Sequence, residues 1–369
     1  MNIAGLPVNI NAERKYPTMK KILALILVAL LVLTAGAAFA AEGRVGIAMP
    51  TRANERWIHD GDNVKAALEE LGYTVDLQYA EDNIDAQASQ LENMLLKGVD
   101  VLIIAAIDGS SLSNVLKLAK EQGVVVIAYD RLLTNTPDVD YYATFDSIAI
   151  GEQQATSLLT GLGVLDGATG PFNIEIFAGS LDDSCTPLDY EGSRNILQPY
   201  IDSGVIVIPS GQTEMAQVAT EGWDALKAQA RMDNLISANY ANGAVVDGIL
   251  SPYDGLSIGI LSSLKAVGYG TGDLKLPIVT GQDCEVTSIK SMIAGEQYSS
   301  IFNNTASLAQ VAVDLATQAL KGEEVVTNST YENGVFDVPS MAISATIITI
   351  DNYEEQLVAS GYIAAEDLA

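Results

Sequence analysis

Short apolar runs alternate along the chain with longer segments in which apolar residues recur every three to four positions. This alternation predicts strands and helices in turn, the order of a parallel sheet with helices packed on it. The run at 101–106 is apolar throughout, as a strand covered on both faces must be. In the first half of the chain the predicted strands are 44–49, 74–79, 101–106 and 124–129, and the predicted helices are 57–71, 84–97 and 111–122.

A second series of the same kind begins near Tyr141. No segment rich in Gly and Ser separates the two series, so we expect the chain to cross between two lobes through ordered strands. The pattern therefore predicts an α/β fold of two doubly wound, Rossmann-like lobes. The predicted strands are 172–177, 205–208, 246–250, 277–280 and 298–302, and the predicted helices are 189–201, 223–240, 256–267, 285–294 and 305–320.

Residues 1–40 follow a different pattern. A Met-Lys-Lys triplet precedes an apolar run (22–38), which ends in Ala-Phe-Ala at 38–40. This is the layout of a secretory signal peptide, and the run is shorter than the ~20 residues of a membrane-spanning helix. We expect translation to start at Met19, cleavage to follow Ala40, and the mature protein to reside in the periplasm.

Length and charge narrow the function further. A chain of 369 residues is too long for one typical core, which predicts two domains after the signal peptide. It contains 47 acidic and 19 basic residues, a net charge of −28, and no basic stripe. Binding to phosphate backbones needs clustered Lys and Arg, so nucleic acid is excluded as a partner.

Polar side chains follow the predicted strands at the points where those strands end. In open α/β sheets, ligands bind at the carboxyl ends of the strands, so these residues are the candidate site. Two faces of similar chemistry would then confront each other across a cleft. The candidates are Arg56, Trp57, Asp108, Asp130 and Arg131 in the first lobe, and Asp183, Asp254, Gln282 and Asp283 in the second.

These residue types suit a sugar. Carboxylates and Arg can bridge neighbouring hydroxyl groups with charge-assisted hydrogen bonds, and the indole of Trp57 can cover the C–H face of a sugar ring. Each residue also has a structural alternative. Asp130 and Arg131 could form a surface ion pair, and Trp57 could be a core aromatic at a helix start. Asp254 could cap a helix, and Asp108 could belong to a turn.

Catalysis and metal binding have little support in the sequence. The single histidine, His59, lies on a predicted helix without a Ser or Asp partner in a recognisable set. Phosphate-binding glycine loops, Cys/His clusters and an EF-hand-type calcium loop are absent from the sequence. We therefore predict no enzyme, no cofactor and no metal, while a pair of carboxylates could still serve glycoside hydrolysis.

Several segments carry a resemblance to a known family: Arg56-Trp57, 127–131, 141–146, 251–257 and 281–283. Over residues 43–369 the chain resembles the periplasmic xylose-binding and multiple-sugar-binding proteins, which have the ribose-binding-protein-like, type I periplasmic binding fold. The resemblance implies two lobes joined by a three-strand hinge, with a sugar held between them. The first lobe would comprise 41–145 and about 284–325, and the second 146–283 and about 326–369.

The resemblance also implies roles for the candidate residues. Arg56, Asp130 and Arg131 would bind sugar hydroxyl groups, Trp57 would stack on the ring, and Asp183 and Asp254 would be the carboxylates of the second lobe. Gln282 and Asp283 match a loop at the cleft. At 183–188 the chain reads Asp-Ser-Cys-Thr-Pro-Leu where relatives have two asparagines, so their sugar specificity is not transferred. Because two cysteines in an exported protein favour a disulfide, we predict a bridge between Cys185 and Cys284.

The function implied is that of a monomeric solute-binding protein. It would capture a monosaccharide such as xylose, glucose, galactose or a similar aldose and deliver it to the permease of an ABC importer. The alternative on the same scaffold is a sensor that presents a sugar-like signalling molecule to a chemoreceptor or a sensor kinase. A carbohydrate-active enzyme is a further alternative from a different class.

Overall fold

The computed structural model describes Met1, residues 43–241 and residues 243–369, so the predicted signal peptide lies outside the described part. The strands are β1 Arg44–Met49, β2 Thr74–Tyr79, β3 Val101–Ile104, β4 Val125–Tyr129, β5 Tyr141–Phe145, β6 Phe172–Ile176, β7 Ile206–Val207, β8 Gly248–Leu250, β9 Ile278–Val279, β10 Ser299–Phe302, β11 Ser329–Glu332, β12 Asp337–Ile343 and β13 Thr346–Thr349. The helices are α1 Glu55–Glu70, α2 Ile84–Leu96, α3 Ser113–Glu121, α4 Ser147–Gly161, α5 Cys185–Asp202, α6 Met215–Val218, α7 Ala225–Leu235, α8 Asp254–Ala266, α9 Val286–Ile293 and α10 Thr305–Lys321.

The first lobe is built on a seven-stranded sheet with the strand order β11-β12-β5-β4-β3-β1-β2. Its strands run parallel except for β11, which is antiparallel to β12. Residues of β1, β3 and β4 are almost all buried, because α2 and α3 cover one face while α1 and α10 cover the other. Helix α10 packs against α1 and therefore belongs with this sheet, although it follows the second lobe in sequence.

The second lobe has a four-stranded parallel sheet in the order β7-β6-β8-β9. Beyond β9, the chain at 279–283 exchanges backbone hydrogen bonds with β10, which is itself antiparallel to β13. Helices α4 and α5 pack tightly together because Gly151 and Gly192 bring their backbones close; a Cβ at Gly151 would lie 1.9 Å from the Asp189 carbonyl oxygen. Two hydrophobic clusters cover the opposite faces of the sheet, so this lobe is doubly wound as well.

The pattern prediction matches most of these elements and misses the four strands β5, β11, β12 and β13. The parallel pairing of β12 with β5 and the antiparallel pairing of β10 with β13 were not foreseen, because partners far apart in sequence leave no periodic signal. The predicted lobe division placed 284–325 in the first lobe and 326–369 in the second. In the structure β10, which falls in 284–325, adjoins the second sheet, whereas β11 and β12, which fall in 326–369, extend the first sheet.

The chain passes between the two sheets at three places: after β5, between β10 and α10, and between β12 and β13. Three such connections constrain the lobes to open and close about one hinge region. Within the described residues, no helix has the length and apolar character needed to cross a bilayer.

Candidate functional site

A cavity of about 510 Å³ lies where the carboxyl ends of the first-sheet strands face those of the second sheet. Parallel strands point the loops after them toward the same edge, which is why residues so distant in sequence meet here. The wall contains Arg56, Trp57, Asp130, Arg131, Asp183, Gln282 and Asp283, seven of the nine predicted ligand residues. The wall also includes Asn54, Thr144, Phe145, Ser147, Ile150, Cys185, Asp189, Trp223, Pro252, Tyr253 and Asn303.

Arg56 connects carboxylates of both lobes. It sits in the first turn of α1, and its Nη2 lies 2.7 Å from Asp130, its Nε 3.1 Å from Asp60 and its Nη1 3.4 Å from Asp283. The Tyr129 hydroxyl donates to Asp60, which fixes the carboxylate behind the guanidinium group. Burial opposes the charge of Arg56, but the surrounding carboxylates raise its pKa well above the usual value. Arg56 is therefore charged, and its guanidinium group lines the cavity.

Asp130 and Arg131 follow β4 in a backbone conformation that turns both side chains into the cavity. Asp130 has a φ of 61°, a region that non-glycine residues seldom adopt. Its carbonyl oxygen accepts hydrogen bonds from Tyr142 (2.5 Å) and Thr144 (3.2 Å), which hold this conformation. Arg131 donates to the Ala106 carbonyl oxygen at 3.2 Å. Backbone strain concentrated at a cavity wall is typical of a binding site.

Direct bonds between the lobes close the cleft. Arg131 Nε lies 2.7 Å from Asp183 Oδ2, and the Leu132 N–H donates to the Ser184 hydroxyl at 2.7 Å. The Arg56–Asp283 pair also joins the lobes. The structure thus corresponds to a closed arrangement in which ligand-facing groups of the two lobes are bonded to one another.

Two tryptophans line the cavity, and sequence reasoning found only Trp57. That indole is 2% exposed and lies 4.5 Å from the Arg56 guanidinium carbon and 5.1 Å from that of Arg131. Trp223 was assigned to the start of a helix, whereas it ends a short 3-10 turn before α7, at a φ of 54°. A Cβ at Gly179 would lie 2.1 Å from the Trp223 ring, so this glycine makes room for the indole. The Trp223 Nε1 donates to Asp183 at 3.2 Å.

Asp189 is a second cavity residue that the sequence did not indicate. The helix was predicted from 189 onward, but α5 begins at Cys185, since Pro187 falls in its first turn where proline is tolerated. Asp189 therefore lies one turn inside the helix with its side chain on the cavity wall. It is 5% exposed. Burial, followed by the charges of Asp183 and Asp130, raises its pKa well above the ordinary value.

The predicted disulfide is wrong, since both cysteines are free thiols in the structure. Cys185 lies on the cavity wall, where its Sγ donates to the Asp130 carbonyl oxygen at 3.1 Å. Cys284 is buried in a different cluster, with Ile289, Met292 and Phe302. The two thiols thus have separate environments although both follow strand ends of the second lobe.

Asp108 and Asp254 do not line the described cavity. Asp108 accepts from the N–H and hydroxyl of Ser110, both at 2.7 Å, which is the turn predicted as its alternative role. Asp254 is fully buried, and its oxygens accept from the Gln297 amide, the Ser300 hydroxyl and the Glu285 N–H at 2.9–3.0 Å. It supports the loop that carries Gln282 and Asp283 from behind.

Replacing Asp254 by Asn should therefore affect stability more than ligand contact. The variant leaves one of the buried donors without an acceptor, and we expect the free energy of unfolding to fall by about 2 kcal/mol. Urea unfolding measures this loss, and Asp108→Asn provides the control with an expected change below about 0.5 kcal/mol. Normal stability together with lost ligand binding would instead make Asp254 a direct ligand.

Glu285 is a largely buried carboxyl group that lies off the cavity wall and is expected to make stability depend on pH. It occupies the N-cap position of α9, and its side chain accepts from the Tyr253 hydroxyl at 2.6 Å. Burial is the main cause that raises its pKa to about 7, and the charges of Asp283 and Glu55 act in the same direction. In the unfolded chain a glutamate titrates near 4.3. Between these values the folded state binds the proton more tightly than the unfolded state does.

We accordingly expect the protein to become more stable as the pH falls from 8 to 5. Glu285 accounts for about 2 kcal/mol of this gain, which is lost as the pH rises through 7. Glu285→Gln, which stays neutral, should flatten the dependence in urea unfolding at pH 5, 6.5 and 8, whereas the exposed Glu70→Gln should leave it unchanged. An unaltered slope in Glu285→Gln would show that other groups produce the dependence.

Fold and site together define a two-lobed binding protein for a small polar molecule. The periplasmic binding protein domain model matches residues 45–324, and the chain belongs to that family. It is 56% identical over 334 residues to the multiple sugar-binding periplasmic receptor ChvE of Rhizobium radiobacter, covering 90% of this chain and 94% of the relative. The D-xylose-binding periplasmic protein of Escherichia coli is 32% identical, covering 92% and 96%.

A solved structure extends the comparison to three dimensions. An ABC transporter solute-binding protein from Clostridium phytofermentans, crystallised with bound β-D-glucose, is 42% identical, with a TM-score of 0.84, covering 88% of this chain and all of the other. The predicted family and the type I periplasmic binding fold are confirmed. Within the described residues, no group of three or more His, Cys, Asp or Glu side chains is placed to hold a metal ion.

Proposed function

We propose that this protein captures a monosaccharide of the aldose class, such as glucose, xylose or galactose, in the cleft between its lobes and delivers it to an ABC importer. The observation that carries the proposal is the cavity wall itself. Arg56 and Arg131 offer fixed hydrogen-bond donors, and Asp130 and Asp183 offer fixed acceptors. The indoles of Trp57 and Trp223 add apolar ring faces.

Hinge closure converts binding into a signal for the permease. Groups of both lobes contact a ligand simultaneously only when the cleft is shut, so the ligand shifts the population toward the closed form. The relatives' names point the same way, since a 56% identical protein is a multiple sugar-binding receptor and a 42% identical one holds glucose. Export to the periplasm by the N-terminal segment belongs to the same proposal.

The experiment is a thermal-shift screen of the chain from Ala41 onward against pentoses, hexoses, disaccharides and amino acids. A ligand at a hundredfold its Kd adds about 2.7 kcal/mol of stability and raises the melting temperature by several degrees. If no sugar raises the melting temperature while another ligand does, the proposal is overturned. Recovery of unchanged sugar after prolonged incubation would separate binding from glycoside chemistry.

A sensory role is the second candidate, and the word receptor in the name of the 56% identical relative favours it. The closed protein would then dock on a sensor or a chemoreceptor instead of, or besides, the permease. A deletion strain distinguishes the roles. Loss of uptake of radiolabelled sugar supports transport, whereas retained uptake with loss of the sugar-induced response supports sensing.

A further inference from the structure

The cavity wall contains more carboxyl groups than guanidinium groups. The carboxyl groups are those of Asp130, Asp183, Asp189 and Asp283, and the guanidinium groups are those of Arg56 and Arg131. Arg56 and Arg131 form ion pairs with the other three carboxylates, at 2.7–3.4 Å. Asp189 has no cationic partner among the described residues, and its Oδ1 accepts no hydrogen bond although it is buried.

Asp189 lies at the boundary between the main cavity and a small side chamber, since it lines both. Gln154, Thr186, Ser193 and Pro252 also line the side chamber. The hydroxyl oxygen of Thr186 is a second buried polar atom there without a hydrogen-bond partner. A substituent of the ligand that projects toward Asp189 therefore finds space and two unused oxygen atoms.

The chemistry of that substituent follows from the surroundings of Asp189. The nearby charges of Asp183, Asp130 and Asp283 disfavour its ionised form, and the Ser147 hydroxyl is the polar neighbour that favours it. One hydroxyl group of a neutral sugar would restore less free energy than burial of an isolated carboxylate costs. An ammonium group on the ligand supplies hydrogen-bond donors together with the positive charge that Asp189 lacks. A carboxylate on the ligand would instead be repelled by Asp189 and its acidic neighbours.

We propose that Asp189 binds the ammonium group of an amino sugar, so that the cavity prefers amino sugars to the matching neutral aldoses and rejects sugar acids. The inference rests on the proposed function, because it assigns the substrate class within the same cavity. Asp189 is the specificity-determining residue, and the amino group lies at the mouth of the side chamber while the ring stays in the main cavity.

Isothermal titration calorimetry of the chain from Ala41 onward tests this preference with D-glucosamine, D-glucose and D-glucuronate at pH 6.5. We expect D-glucosamine to bind at least tenfold more tightly than D-glucose, and D-glucuronate to bind at least tenfold more weakly than D-glucose. Equal affinities for D-glucosamine and D-glucose would overturn the proposal.

Variants locate the effect. Asp189→Asn should bring the glucosamine-to-glucose affinity ratio to within about twofold. Glu191→Gln, which changes an exposed carboxyl group on the same helix, should keep the ratio of the unmodified protein. An unchanged ratio in Asp189→Asn refutes the assignment, and if that variant does not fold, the affinities of the unmodified protein for the three sugars still decide. Binding of no sugar at all would instead refute the proposed function.

Discussion

Replacing Arg56 by alanine is expected to remove measurable binding of D-glucose and to lower the free energy of unfolding by about 3–5 kcal/mol. The guanidinium group lies between Asp60, Asp130 and Asp283, at 3.1, 2.7 and 3.4 Å. Its removal leaves three buried carboxylates without their shared cation. These carboxylates would repel one another across the cleft, so closure is lost along with stability.

Urea unfolding and calorimetric titration measure both effects of the Arg56 substitution. The matched control is Arg52→Ala, because Arg52 is more than half exposed and pairs with Glu81 at the surface. The control should change stability by less than about 1 kcal/mol and leave binding intact. Arg56→Lys keeps the positive charge but lacks the planar guanidinium group with its several N–H donors. Relative to Arg56→Ala, we expect it to recover part of the stability and little of the affinity for D-glucose. Near-normal binding by Arg56→Ala would place the ligand elsewhere.

Replacing Asp183 by Asn is expected to weaken D-glucose binding on the order of a hundredfold to a thousandfold, mainly by destabilising the closed form. Asp183 forms an ion pair with Arg131 of the opposite lobe at 2.7 Å and accepts a hydrogen bond from Trp223 at 3.2 Å. An asparagine retains the shape but leaves Arg131 without its counter-charge. Because the contact forms only across the cleft, its loss falls on the closed state and spares the folding of each lobe.

Small-angle X-ray scattering distinguishes this effect from loss of a simple ligand contact. The unmodified protein should contract on addition of D-glucose, whereas Asp183→Asn should remain extended until glucose exceeds its raised Kd. Asp182→Asn is the control, since Asp182 is the exposed neighbour and lies off the cavity wall. Full contraction of Asp183→Asn at the glucose concentration that closes the unmodified protein would disprove the interlobe role.

The sequence located one half of the candidate binding wall. Arg56 and Trp57 begin the helix after β1, and Asp130 and Arg131 directly follow β4. Parallel strands share one direction, so whatever follows each apolar run must reach the same edge of the sheet. Strand pattern alone therefore gathers these four residues, and the structure places them together. Their contact with sugar stays a prediction.

The other half of the wall depended on where helices begin. Asp189 and Trp223 were both placed at helix starts, but α5 begins four residues earlier and Trp223 precedes α7. An error of one helical turn is invisible in hydrophobic periodicity, yet it decides which side chains face a cavity. Asp254 also follows a strand, as predicted, but it does not face the cavity. Its carboxylate instead accepts hydrogen bonds from Gln297, Ser300 and the Glu285 N–H.

The sequence by itself determined the two α/β lobes, because buried parallel strands and their polar ends leave a periodic record along the chain. It also determined the family, through the resemblance of segments such as 127–131 and 251–257 to known sugar-binding proteins. Only the tertiary structure decided the pairing of β10 with β13 and of β12 with β5, the free state of both thiols, and the isolation of Asp189. These features rest on distances between residues remote in sequence. Such distances are set by the packing of whole elements against each other, and local pattern carries no record of them.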